Sequence, residues 1–208
     1  MVLARRLVRT MLAVLLAWDM AAQAAMTGTA HDFRAQDWSK GELCGVCHTP
    51  HNANTEVRAP LWNRQVSTAS YTLYSSPTLD AEVGQPEHYG SKLCLSCHDG
   101  TVALDSFGGQ DGATFIEGRV AVGTDLRGTH PIGLLYDPAL ALADGDLHDP
   151  ESTTTPLGGT IDSDLLFGTG NLECASCHDV HNARSAGNQK LLRISVDGSQ
   201  LCLTCHDK

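Results

Sequence analysis

Eight cysteines occur in this 208-residue chain, and every one falls in a Cys-x-x-Cys-His unit: Cys44, Cys47 and His48; Cys94, Cys97 and His98; Cys174, Cys177 and His178; Cys202, Cys205 and His206. No thiol is left over. In such a unit the two sulfurs can form thioethers to the two vinyl groups of a haem while the next residue turns its imidazole onto the iron, so the spacing follows from the size of the porphyrin. Structural zinc does not require a histidine directly after the second cysteine, and a disulfide framework has no use for the repeated histidine. The pattern therefore predicts four haem c groups, each bringing one iron.

The chain opens with Arg5, Arg6 and Arg9, continues through the apolar stretch "MLAVLLAW" and reaches "AAQAA", where Ala22 and Ala24 suit a small-residue cleavage site. Residues 1–24 read as a signal peptide, too short in their apolar run to span a bilayer. Its removal takes away three arginines and Asp19, which moves the net charge from −10 to −12. An acidic exported chain is a poor partner for nucleic acid or for anionic membrane surfaces, and it has no membrane span.

The remaining residues, 25–208, fit one domain. Only four Phe, four Tyr, Trp38 and Trp62 remain in it, and glycine-rich stretches such as "FGGQDGATFIEGR" and "TTTPLGGT" interrupt every candidate element. Haem is expected to supply the buried apolar surface that the chain lacks. The predicted fold is mostly irregular coil with short α-helices at the haem sites and little β, with the haems as its core. Ser91 and Ser199 are candidate N-caps before "KLCLSCH" and "QLCLTCH". "DPALALADG" predicts a two-turn helix begun after Asp137 and stopped by Gly145, and "RVAVGTDL" a short strand or an extended loop.

The ends of the chain repeat each other. "CGVCHTPHNAN" matches "CASCHDVHNAR", and "SKLCLSCHDG" matches "SQLCLTCHDK". The domain is thus two haem pairs, residues 25–136 and 165–208, joined by an acidic, loop-rich connection. Residues 55–90 are an insertion in the first pair, whose leading cysteines lie 50 residues apart against 28 in the second. Asp144, Asp146 and Asp149 lack the ligand spacing of a calcium loop and read as a solvated acidic loop.

The sixth ligand of each iron decides between electron transfer and catalysis. All thiols are used, and Met26 is the one methionine that survives removal of the leader. Spare histidines are the natural ligands: His31, His51, His88, His130, His148 and His181. His51 follows His48 by three residues, as His181 follows His178. At that spacing two side chains share one face of a helix, so neither can reach the far side of the haem its neighbour serves. Each should ligate a different haem. His31 precedes the first unit, and His130 is held between turn residues by Pro131. His88 and His148 sit among polar turn residues and read as solvated.

Together "AHDF", "CHTPHN", "PLWNR", "CLSCHDG", "THPIG" and "CHDVHN" resemble the doubled Cys-x-x-Cys-His multihaem c-type cytochromes over residues 29–206. Among these the chain looks like the tetrahaem extracellular cytochromes that polymerise into conductive filaments. The resemblance implies a loop-rich subunit around a continuous row of bis-histidine haems, with identical subunits as partners and His51 ligating a haem of the adjacent one. Residues 137–164 match no feature of that family.

The expected function is electron transfer, with no catalytic residues, to redox partner proteins or extracellular acceptors. A soluble periplasmic tetrahaem carrier is the alternative. A multihaem reductase with one open iron is disfavoured by six spare histidines for four irons.

Overall fold

The computed structural model describes residues 25–86, 90–183 and 190–208. The leader and His88 lie outside these residues. Among the described residues most are coil and turn, with a few short helices and a single two-stranded ribbon. No helix among the described residues is long and apolar enough to cross a membrane.

Each Cys-x-x-Cys-His unit forms one helical turn. The bond from the histidine N–H to the carbonyl of the first cysteine recurs at 2.9 Å in His48, 3.0 Å in His178 and 2.9 Å in His206. The second unit lies at the end of helix α1, Ser91–His98, where Leu95 and Ser96 are buried and the Ser96 hydroxyl donates to Lys92 O at 2.7 Å. The turn is a geometric need of the unit, because it sets two sulfurs and an imidazole along one side of the backbone.

The main apolar cluster among the described residues gathers the connection and the ends that it joins: Leu134 and Tyr136 from the first pair, Ala141 and Ile161 from residues 137–164, and Leu165, Leu166 and Ile194 from the second pair. Strand β1, Leu134–Leu135, pairs antiparallel with β2, Asn171–Leu172, with Leu134 opposite Leu172. Helix α2, Pro138–Asp144, is bounded as its sequence predicts: Asp137 accepts from Leu140 N at 2.8 Å, Pro138 takes the first position, and Gly145 closes the helix at φ 78°. A positive φ there costs glycine nothing.

Helix α3, Ile161–Leu165, is started by a capping box between Thr160 and Ser163. The glycine-rich "TTTPLGGT" is the tight turn that feeds it, closed by Asp164, which accepts from Thr155 Oγ1 at 2.5 Å and from Gly159 N at 2.8 Å. Ile161 and Leu166 are fully buried. Each contributes about 1.5–3 kcal/mol by leaving water. Asp144 and Asp149 accept from backbone N–H groups two residues on, at 3.0 and 2.9 Å, and Asp146 pairs with Lys208. The acidic side chains therefore shape turns over an apolar floor.

A second, smaller cluster, Tyr71, Leu95 and Leu126, seats α1. Beside it the Asp99 carboxylate accepts from Ser67 Oγ at 2.5 Å, Tyr71 OH at 2.6 Å and Thr101 N at 2.7 Å. Burial alone would raise this carboxyl, but those hydrogen bonds outweigh it and hold it below the ordinary carboxylate value. "RVAVGTDL" is a loop with 3-10 turns at Gly118–Val120 and Leu126–Gly128.

Helix α4, Cys174–Cys177, follows β2, and helix α5, Gln200–Cys205, ends the chain. Ser199 is the N-cap residue of α5, in the left-handed region at φ 61°, without a side-chain capping bond. Ser91 is not the N-cap of α1, a position held by Gly90. Its hydroxyl instead accepts from Cys174 N at 3.0 Å, capping α4, while Glu173 Oε2 accepts from Ser91 N at 3.2 Å. The two helix starts satisfy each other. Glycine at position 90 suits this approach, since a Cβ would lie in tight contact, 3.3 Å from Ala175 Cβ.

Candidate functional site

The tandem repeat of the sequence is also a repeat of hydrogen bonds. After each leading unit the chain returns alongside it: Thr49 N donates to Leu61 O and Asn63 N to Cys47 O, as Asp179 N donates to Leu191 O and Arg193 N to Cys177 O. Leu61 and Leu191 share a left-handed φ of 55° and 56°. Within these returns His48 Nδ1 meets Pro60 O and His178 Nδ1 meets Lys190 O, both at 2.8 Å. His98 Nδ1 meets Val120 O at the same distance.

A carbonyl oxygen only accepts, so the nitrogen facing it must carry the proton, and Nε2 keeps its lone pair. That is the tautomer and the outer partner typical of a metal-ligating histidine. His130, outside the four units, is fixed in the same way by Pro131 O at 2.9 Å.

Three histidine pairs lie at one separation. His31 is 6.1 Å from His98 between ring centres, His48 is 6.1 Å from His181, and His130 is 6.3 Å from His206. Two imidazoles bound to opposite faces of one metal need about 6 Å between centres, from a bond of about 2 Å and about 1 Å of ring on each side. Interplanar angles of 64°, 17° and 68° are compatible with this, because axial ligands may rotate about the iron–nitrogen axis. His31 Nδ1 is buried with no hydrogen-bond partner. Burial first, then the neighbouring His98, His178 and His181, lower the His31 pKa to about 4, so at neutral pH it presents the uncharged, ligating imidazole.

His51 and His178 join no such pair among the described residues. The backbone of His51 is fixed by Thr49, whose Oγ1 donates to His51 O at 2.8 Å, and its side chain is exposed. His148 is held through its backbone, its N–H donating to Cys205 O at 2.9 Å and its carbonyl accepting from Tyr136 OH at 2.5 Å.

All eight cysteines are free. Those of successive units are neighbours: burial raises the Cys47 thiol to about 11, with Cys97 adding to the effect. Cys94 and Cys174 hydrogen-bond across the joint between α1 and α4, which raises Cys94 and lowers Cys174. Burial raises Cys205 to about 12, and Cys177 and Cys202 add to it. The anchoring points therefore run through the protein in the order of the chain. Free sulfurs paired on single turns, histidines in the ligating tautomer and an orphaned imidazole nitrogen together fit haem c.

Several residues of this arrangement were not singled out by their sequence. The carbonyls of Pro60, Val120 and Lys190 are backbone groups with no side-chain signature. Glu173 and Ser91 meet across the two pairs, and only the fold brings them together. Arg64 and Asn63 stand within "PLWNR", where repeat matching was the available signal: Asn63 Nδ2 donates to Gly45 O at 2.5 Å as Arg193 Nε donates to Ala175 O at 2.7 Å.

Residues 167–208 match the family model described as the doubled CXXCH motif. No curated protein matches the chain. The family match supports a multihaem c-type cytochrome, with covalently bound haem c and electron transfer as its chemistry.

Proposed function

We propose that the protein carries four haem c groups as a one-electron relay and assembles head to tail as a subunit of an extracellular cytochrome filament. The observation that carries this reading is the set of three histidine pairs at 6.1 to 6.3 Å, each combining the histidine of a Cys-x-x-Cys-His unit with one from elsewhere in the chain. When bound, haem c supplies an iron that cycles between ferric and ferrous states. The chain would anchor each group through a cysteine pair, and His31, His181 and His130 would hold three of them together with His98, His48 and His206. With both axial positions taken no small reactant has a place at the metal, which favours electron transfer over catalysis.

The repeat extends this reading to assembly. His181, in the second repeat, belongs with the first iron of the first repeat. His51 is its counterpart one repeat earlier, and His178 holds the first iron of the second repeat. Continuing the same step from chain to chain brings His51 of a following copy onto the iron held by His178. A covalently haem-bearing chain of this kind is exported, and the filament reading assigns it an extracellular location.

The test is the His51→Ala variant of the haem-loaded protein, viewed in negative stain and titrated with carbon monoxide. Filaments should disappear and one iron per chain should bind the gas, whereas His88→Ala should change neither. If His51→Ala still polymerises with every iron six-coordinate, the assembly reading fails. A parent protein that stays monomeric with all irons six-coordinate would be a periplasmic carrier instead.

A further inference from the structure

The "PLWNR" motif holds a charge that the ligation scheme leaves unused. Arg64 is 4% exposed. Its two terminal nitrogens donate to Leu104 O and Ala103 O, both at 2.8 Å, while Nε is buried with no hydrogen-bond partner. No carboxylate among the described residues lies within ion-pair distance of it. The guanidinium stays protonated in any protein setting, so a full positive charge is held out of water by two carbonyl dipoles.

Its position is specific. Asn63 N, one residue before Arg64, donates to Cys47 O at 2.9 Å, and Ser67 N, three residues after it, donates to Ser96 Oγ at 3.0 Å, next to Cys97. Cys47 and Cys97 are the second cysteines of the first and second units. The second repeat holds no buried cation at the matching position: the hydrogen bonds that align Asn63 with Arg193 align Arg64 with Ile194, which is 4% exposed and apolar. Arg193 itself is partly exposed over the Phe167 ring at 4.9 Å, where solvent screens its charge.

We infer that Arg64 is a positioning and potential-setting residue for the first haem pair, holding a buried cation beside the anchors of both haems so that each is easier to reduce. A nearby fixed positive charge favours the ferrous state, which carries one positive charge fewer, and low local polarisability strengthens the effect. This rests on the haem reading above, and a haem count on the parent protein separates failure of that reading from failure of this one.

The experiment is spectroelectrochemical titration of haem-loaded Arg64→Met and Arg64→Lys beside the parent. Arg64→Met removes the charge and keeps the length; Arg64→Lys keeps the charge and loses the fork that grips Ala103 and Leu104. In Arg64→Met two of the four haem potentials should fall by at least a tenfold change in the reduced-to-oxidised ratio, about 59 mV for a one-electron centre. Arg64→Lys should leave them within half that shift. Unchanged potentials in a fully loaded Arg64→Met protein would overturn the inference, as they would if a haem propionate neutralised the guanidinium. Equal shifts in both variants, or loss of haem from Arg64→Met without a potential change in what remains, would overturn it in favour of a purely architectural role.

Discussion

Replacing His181 by alanine tests the ligand scheme at its longest reach. The ring of His181 lies 6.1 Å from that of His48, a residue of the opposite haem pair, and not against His178 three residues before it. The other aromatic neighbour of His48 among the described residues is Trp62, at 6.3 Å between ring centres and 84° between planes. An indole N–H only donates, so Trp62 cannot take over as a ligand. His181→Ala should therefore open one iron in four and leave the other three capped. Reduced protein should bind one carbon monoxide per chain where the parent binds none, and one quarter of the low-spin absorbance should convert to high spin. Added imidazole should restore the parent spectrum by refilling the space of the lost ring. Haem content should not change, because the thioethers hold the porphyrin independently of the sixth ligand. A fully loaded His181→Ala protein that binds no carbon monoxide would refute the pairing. Binding that is lost when His178 rather than His48 is altered would place His181 on its own neighbour's haem and undo the repeat logic.

Two further outcomes concern the protein scaffold. Leu166→Ala, at a fully buried position of the main apolar cluster, should cost about 2–5 kcal/mol in chemical denaturation of the haem-loaded protein, and a loss below about 1 kcal/mol would mean that haem contacts, not this cluster, hold the region. Tyr71→Phe removes the 2.6 Å hydrogen bond to the buried Asp99 carboxylate and should cost about 2 kcal/mol by the same assay, with spectra of the haems unaltered.

The chemistry of this chain is written in contiguous residues and its scaffold is not. A Cys-x-x-Cys-His unit is a local device in which one helical turn brings three ligating groups together, so four units are readable without a fold. Short helices and sparse β are equally readable, because glycine and turn residues recur too often for long elements. The apolar cluster of Leu134, Tyr136, Ala141, Ile161, Leu165 and Leu166 has no legible sequence pattern for the same reason. Its members come from a two-residue strand, a turn and two short helices, and no window is long enough to carry a period. Ser91 shows a second limit. By position it stands where an N-cap belongs, yet its hydroxyl serves a helix that begins 83 residues later. Arg64 shows a third, since charge next to glutamine and asparagine reads as surface until the surrounding carbonyls are known. The separations among His31, His98, His48, His181, His130 and His206 likewise depend on contacts far apart in the chain.

The shared start of α1 and α4 has a consequence for how such a duplicated protein can change. Because Ser91 and Glu173 each accept or donate across the joint, separating the two pairs would leave Ser91 N and Cys174 N each without the partner that the other pair supplies, while α4 would keep its own capping box. The two haem pairs are thereby tied at the starts of their helices, and a change at either residue is felt by both.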